Sequence, residues 1–295
     1  MSIALQVALV MVTILVVLLV IGAPIGVAIG MSSAVSMICM IPADVSFATS
    51  AQRIFAGSNS FSLIAIPFFI LAGNIMNNGG IATRLVNCAK VISGRMPGAL
   101  AQSNVVANML FGAISGSGAA AAAAMGGTIG PLEEKEGYDK NYSTAVNVAS
   151  APVGMLIPPS NTMIVYSSVA GSVSIAALFM AGYIPGLLWG GAVMILAGIM
   201  AKKRGYQAEQ RVPVKVALKT FWQAIPSLLL IVIVIGGILG GIFTATEGSA
   251  IAVVYTTVLS LIYKAFKIKD IPRIVLEAAK TTGIITFMIG LSSIC

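Results

Sequence analysis

Two short polar breaks inside long apolar runs are where this 295-residue chain could do chemistry. The first reads Ile157-Pro158-Pro159-Ser160-Asn161-Thr162. Two consecutive prolines remove two backbone donors, and their rings force the preceding residues out of the α region, so a helix through here is broken. The carbonyls this frees, with the hydroxyls of Ser160 and Thr162 and the amide of Asn161, are hard oxygen ligands. Such a cluster suits Na⁺, which unwound carbonyls and half-helix ends coordinate in transporters. A plain proline kink, its polar groups satisfying neighbouring helices, is the competing reading, and the motif alone leaves both open. The second break is Ser115-Gly116-Ser117-Gly118, followed by six alanines, Ala119 to Ala124. Glycine allows tight reversal and close backbone approach. Two half-helix ends at such a tip would offer N–H groups to an anion and carbonyls to a cation. Small-residue helix packing accounts for the alanines; the Ser-Gly-Ser-Gly tip is read as functional. Two polar breaks, both at mid-membrane depth, are more specific together than either is alone.

The elements that must position them are membrane helices. The chain is 58% hydrophobic and 9% charged, against roughly 45–50% and about 25% in soluble domains. Its mean hydropathy is +1.00. This excludes a disordered, collagenous or small secreted protein. There is no His, so imidazole bases, relays and metal ligands are lacking. The three Cys (Cys39, Cys88, Cys295) are odd in number and form no CxxC, so neither a disulfide framework nor a transition-metal site is implied. No phosphate-binding G-x-x-x-x-G-K-[ST] loop occurs. The net charge of +8 lies in short clusters between apolar runs, which points to cytoplasmic loops and not to nucleic acid.

A bilayer core of about 30 Å takes around 20 apolar residues. By that rule spans are expected at 4–21, 25–41, 61–77, 143–171, 174–200, 222–242 and 249–263, with an eighth from 281 still apolar at Cys295. The N-terminal run is too long for a removable signal peptide and lacks its basic start and cleavage pattern. Residues 99–131, rich in Gly, Ser and Ala, have halves too short to span and read as a re-entrant hairpin. The loops 202–219 and 264–273 carry the Lys and Arg excess and belong in the cytoplasm. Counting back places the N-terminus outside and 78–98 inside. The order of inward and outward spans then suggests one unit repeated upside down, the plan of secondary transporters.

Other features take plainer readings. Gly22, Gly26 and Gly30, and Gly186 with Gly190, form ridges for helix contact. Glu247 after Thr244 reads as a helix cap in preference to a proton-coupling acid. Arg53, in the outer loop 42–60, is a docking or a solvated residue. Residues 81–96 suit an amphipathic helix on the inner surface, and Trp222, Tyr206 and Tyr263 fit interfacial anchors.

Several runs resemble the large membrane subunit of tripartite ATP-independent periplasmic (TRAP) transporters. They are Ser62 to Gly73, Asn77 to Ile81, Ile114-Ser115-Gly116-Ser117, Ile157-Pro158-Pro159-Ser160, Leu178 to Gly182 and Gly241 to Glu247. The resemblance covers essentially the whole chain in order. It implies an all-α, inverted-repeat elevator in which a transport domain slides against a scaffold. It implies Na⁺ as coupling ion with no other cofactor, and carboxylate substrates such as C4-dicarboxylates or sialic acid. The implied partners are a small four-helix membrane subunit, a periplasmic binding protein and membrane lipid. By position, Ser115, Gly116, Ser117 and Gly118 would be the first hairpin tip. Pro158, Pro159, Ser160, Asn161 and Thr162 would be the first broken helix, and together they would hold one Na⁺ and one side of the substrate cavity.

The implied division is scaffold helices and outer loop over 1–60, then the first half of the transport domain over 61–172. A linking helix and basic loop follow over 173–220, and second-repeat scaffold over 221–295. A second hairpin and broken helix would lie beyond Cys295, with a truncated second repeat. Two departures leave the substrate open: Gly118 and alanines follow the tip where the family commonly has a polar residue, and Asn161-Thr162 resembles the Ser-Asn-Thr of dicarboxylate/Na⁺ symporters. The expected function is a permease subunit of a Na⁺-coupled carboxylate importer, not an enzyme. The alternatives are a stand-alone dicarboxylate/Na⁺ symporter and a non-transporting scaffold. No acid lies within an expected span, which disfavours proton-coupled antiport.

Overall fold

In lipid a backbone without a partner costs several kcal/mol per group, so long apolar runs resolve into helices. The computed structural model describes residues 3–171, 173–206 and 213–295, and among them there are helices and no strand. The chain divides into two units, Met1–Leu63 with Ala279–Cys295, and Ile64–Ala278.

The first unit starts with α1 (Ile3–Val20) and α2 (Ile25–Ile38), packed on each other through a turn where Gly22 has φ +87°. Gly26 and Gly30 of α2 abut Met288 and Leu291, and a Cβ on Gly30 would fall 2.6 Å from a Leu291 methyl. Gly26 and Gly30 are thus a helix contact, as expected, whereas Gly22 sits in the turn with nothing near it. With 14 residues, α2 is about 21 Å long, shorter than a bilayer core and than the expected 25–41. The stretch expected as an outer loop is instead a helix, α3 (Ala43–Ser58), opened by Pro42 and carrying Asp44 in its first turn. Arg53 on it is exposed.

The second unit holds the candidate residues. A 3-10 turn (Phe61–Ile64) leads into α4 (Ala65–Asn78), then α5 (Ile81–Ser93). α5 is amphipathic as expected and packs against later helices; its Arg84 guanidinium lies 3.3 Å above the Tyr263 ring. Next come α6 (Ala99–Ser115), α7 (Gly118–Thr128) and α8 (Gly130–Lys135). α9 (Lys140–Ser150), α10 (Val153–Leu156) and α11 (Asn161–Ala170) follow, with α9 to α11 forming a span bent by 51° at a break. α12 (Ile175–Lys203), α13 (Val214–Leu239), α14 (Ala245–Ile262) and α15 (Ile271–Ser292) complete the chain, α15 running on past Ala278. Among the described residues five helices are long and apolar enough to cross a membrane, six with the bent pair, so the chain is an all-α multi-pass membrane protein.

Two spans start earlier than expected. α13 begins at Val214 and not 222, taking in Lys215 and Lys219. α15 begins at Ile271 and not 281, taking in Arg273, Glu277 and Lys280. Long charged side chains in the first turns of a helix reach water while their stems lie along it. Of the basic loop 202–219, residues 207–212, with Glu209 and Arg211, lie outside the described residues, as does Ser172 at the expected domain edge.

α12 is fastened at both ends. Its Gly182, Gly186 and Gly190 face the broken span and α6, and a Cβ on Gly186 would come 2.7 Å from Ile157. Just past its other end Tyr206 stacks on Tyr138 with centroids 4.3 Å apart and accepts the Asp139 N–H at 2.8 Å. Arg204 pairs with Asp139 at 2.9 Å. The Tyr142 N–H, and after it Arg204, hold the exposed Asp139 carboxyl below its ordinary range. Tyr206 thus closes an aromatic cluster in addition to any interfacial anchoring. Glu247 accepts the Thr244 N–H at 2.7 Å while Thr244 Oγ1 accepts the Glu247 N–H at 3.3 Å, a capping box that opens α14.

Candidate functional site

Local sequence builds both halves of the site. α6 stops at Ser115 because Gly116, at φ +62°, turns the chain left-handed. Ser117 is extended and caps α7, its Oγ accepting the Ala120 N–H at 3.2 Å. α7 then returns beside α6, giving the hairpin expected over 99–131. The broken span runs through α9 and α10, loses its helical ladder over residues 157–160, and resumes at Asn161. A cis peptide bond joins Pro158 to Pro159. The Ser160 hydroxyl donates to the Met155 carbonyl, one of those the break frees.

Tip and break meet face to face. Asn161 Nδ2 donates to the Ser115 carbonyl at 3.3 Å. A Cβ on Gly116 would lie 2.8 Å from Asn161 N, Cγ and Nδ2 alike, so only glycine fits. Gly118 abuts Met155, and Gly112 abuts Gly154, where a Cβ on Gly112 would sit 2.7 Å from the opposite Cα. From behind, Gly73 of α4 packs on Ser115. Ser115, Gly116, Gly118, Pro158, Pro159, Ser160 and Asn161 are buried, Ser117 is half-buried, and Thr162 is exposed.

No titratable side chain occurs over residues 112–120 or 153–164. The field at the meeting point therefore comes from backbone and side-chain dipoles. The N-termini of α7 and α11 and the C-terminus of α6 converge there. N–H groups of the first two favour an anion and carbonyls of the third a cation. Asn161 Oδ1, in a side chain 6% exposed, has no hydrogen-bond partner. The other polar groups of the two breaks are likewise oxygens: the Ser115 carbonyl, which accepts from Asn161 Nδ2, and the Ser117 and Ser160 hydroxyls. Among the described residues no cluster of three or more Cys, Asp or Glu could hold a metal.

Sequence reasoning passed over a polar ladder below the tip. Asn108 Nδ2 contacts Asn104 Oδ1 at 2.8 Å, Asn147 Oδ1 at 3.0 Å and Ser150 Oγ at 2.8 Å, and Asn147 donates to the Ala122 carbonyl at 2.8 Å. It joins α6, α7 and α9. The available signal was spacing: Asn104 with Asn108 at i,i+4, and Asn147 with Ser150 at i,i+3.

A multi-pass helical chain in which a hairpin tip meets a broken span has the construction of a secondary transporter. Over residues 12–295 it matches the profile of the tripartite ATP-independent periplasmic transporter, DctM component, and it belongs to that family. It is 50% identical over 88% of its length to the uncharacterised protein YgiK of Salmonella typhimurium, covering 60% of that protein. It is 36% identical over 82% of its length to the C4-dicarboxylate TRAP transporter large permease protein DctM of Rhodobacter capsulatus, covering 58% of it. It is also 37% identical over 81% of its length to the sialic acid TRAP transporter large permease protein SiaM of Vibrio cholerae, covering 56% of it. The chain thus spans 56–60% of the length of these three relatives. The family consists of transport permeases of the bacterial inner membrane, and the protein is not an enzyme.

Proposed function

We propose that the protein serves a Na⁺-coupled importer of small carboxylates, C4-dicarboxylates or sialic-acid-like acid sugars. Substrate is handed over by a periplasmic binding protein, and a small four-helix membrane subunit is the partner in the lipid phase. The observation that carries the Na⁺ reading is the buried Asn161 Oδ1, which has no hydrogen-bond partner, in the side chain whose Nδ2 donates to the Ser115 carbonyl at the hairpin tip. The carboxylate reading draws on the converging N-termini of α7 and α11, and on relatives named for a C4-dicarboxylate and for sialic acid.

In this reading 61–172 moves as the first half of an elevator-type transport domain against scaffold helices from 1–60 and 221–295, linked by 173–220, with the N-terminus periplasmic. Na⁺ and substrate stabilise the same arrangement of tip and break, so each raises the affinity for the other. Replacing Ser117 or Ser160 by Ala should raise the Na⁺ concentration for half-maximal uptake by the reconstituted transporter. An unchanged Na⁺ dependence in both variants removes them from the ion site. Uptake without any binding protein would instead favour a stand-alone symporter.

A further inference from the structure

At the end of the hairpin away from its tip, α6, α7, α8 and α9 enclose a cleft of about 390 Å³. Asn104, Glu133, Tyr138, Lys140, Ser143 and Asn147 line it. Glu133 is 1% exposed, and among the described residues no other charged side chain is fully buried. Its Oε1 has no hydrogen-bond partner. Asn104, also 1% exposed, has an amide end without a partner on the same cleft. Among the described residues no basic group stands within ion-pair distance of Glu133. An ionised carboxylate here would be desolvated and unpaired, which proteins avoid by keeping the group neutral.

We propose that this cleft is a proton-binding site, in which Glu133 carries a proton in the packed arrangement and releases it when the cleft opens to water. Burial pushes the carboxyl up to about 7. The Ser143 hydroxyl, near it but outside hydrogen-bonding geometry, pulls it part of the way back, and Glu136 adds a smaller upward push. The titratable and charged groups facing it are Glu134, Glu136 and Tyr138 on its own stretch and Lys140 and Tyr142 on α9. α6 and α7 carry none. The cleft has room for water, whose share of liquid volume is about 30 Å³, once its wall yields enough to wet the carboxylate. α8 is the link between hairpin and broken span. Losing the proton therefore loosens the joint between the two halves of the candidate site.

The sign follows from the raised value. Stability from this group is complete below the ordinary 4.5 and is lost as pH rises towards about 7. The test is an infrared pH titration of the whole purified protein in lipid nanodiscs, following the protonated-carboxyl C=O band, with melting temperature recorded in parallel. The wild type should show a band titrating near pH 7 that Glu133→Gln lacks. Its melting temperature should fall, relative to that variant, across pH 4.5–7. Ser143→Ala should move the midpoint upward. A band unchanged by Glu133→Gln, or Glu133 already ionised at pH 5, overturns the proposal. If Glu133→Gln does not fold, an unmoved midpoint in Ser143→Ala overturns it. Neither readout involves Na⁺ or substrate, so its failure would leave the transport reading standing.

Discussion

Gly116→Ala probes the meeting of tip and break most directly. An L-residue in the left-handed region costs roughly 1–2 kcal/mol. The new methyl would also lie 2.8 Å from three atoms of Asn161, so the tip or the start of α11 must shift. That shift breaks the 3.3 Å hydrogen bond from Asn161 to the Ser115 carbonyl. Overpacking typically costs about 1–3 kcal/mol and a lost hydrogen bond about 1 kcal/mol. Gly171 is the control. It has φ +74° at the far end of α11, with open space where a Cβ would go. Gly171→Ala should therefore carry the conformational cost alone, and Gly116→Ala about 2–4 kcal/mol more. Equilibrium unfolding in mixed micelles titrated with SDS measures the difference. Na⁺ supplies a second readout. At one hundred times its dissociation constant a native-state ligand adds about 2.7 kcal/mol, and that increment should shrink in Gly116→Ala and persist in Gly171→Ala. Equal destabilisation of the two variants would refute the claim that the tip is seated on Asn161.

Asn108→Ala removes the hub of the polar ladder and leaves Asn104, Asn147 and Ser150 without their shared donor. At about 0.6 kcal/mol for an average intramembrane contact, three contacts give about 2 kcal/mol in the same unfolding assay, and a loss within error would mean the ladder is incidental. Glu247→Ala should cost roughly 0.5–2 kcal/mol through the lost capping box while leaving the Na⁺ dependence of uptake unchanged. A shifted Na⁺ dependence would give Glu247 a part in coupling.

The hairpin and the broken span were legible in the sequence because their causes are local. Gly116 and the pair Pro158-Pro159 act on the backbone wherever they stand. That the two breaks touch was implied only by the family resemblance and by no local cause, since it depends on Gly73, Gly112 and Gly154 admitting backbones that lie far apart along the chain. The burial of Glu133 was not legible either: in Glu133-Glu134-Lys135-Glu136 nothing local sets the first of four charges apart, and only the packing of α6, α7 and α9 encloses it. α3 was overlooked because its composition is too polar for a span, although Pro42 and Asp44 mark its start. The early start of α15 was hidden by Arg273, Glu277 and Lys280, which lower the mean hydropathy of turns that are nevertheless helical.

The fastening of α12 constrains how this unit can move. Its glycines key into the break at Leu156, Ile157 and Met163, and the residues just past its far end are held by the Tyr138–Tyr206 stack and the Asp139–Arg204 pair. A displacement of the hairpin and broken span that left α12 behind would have to undo a steric key and an aromatic clasp at opposite ends of a 29-residue rod. A displacement that carried α12 along would undo neither. Mechanically α12 is tied to the hairpin and the broken span near both of its ends.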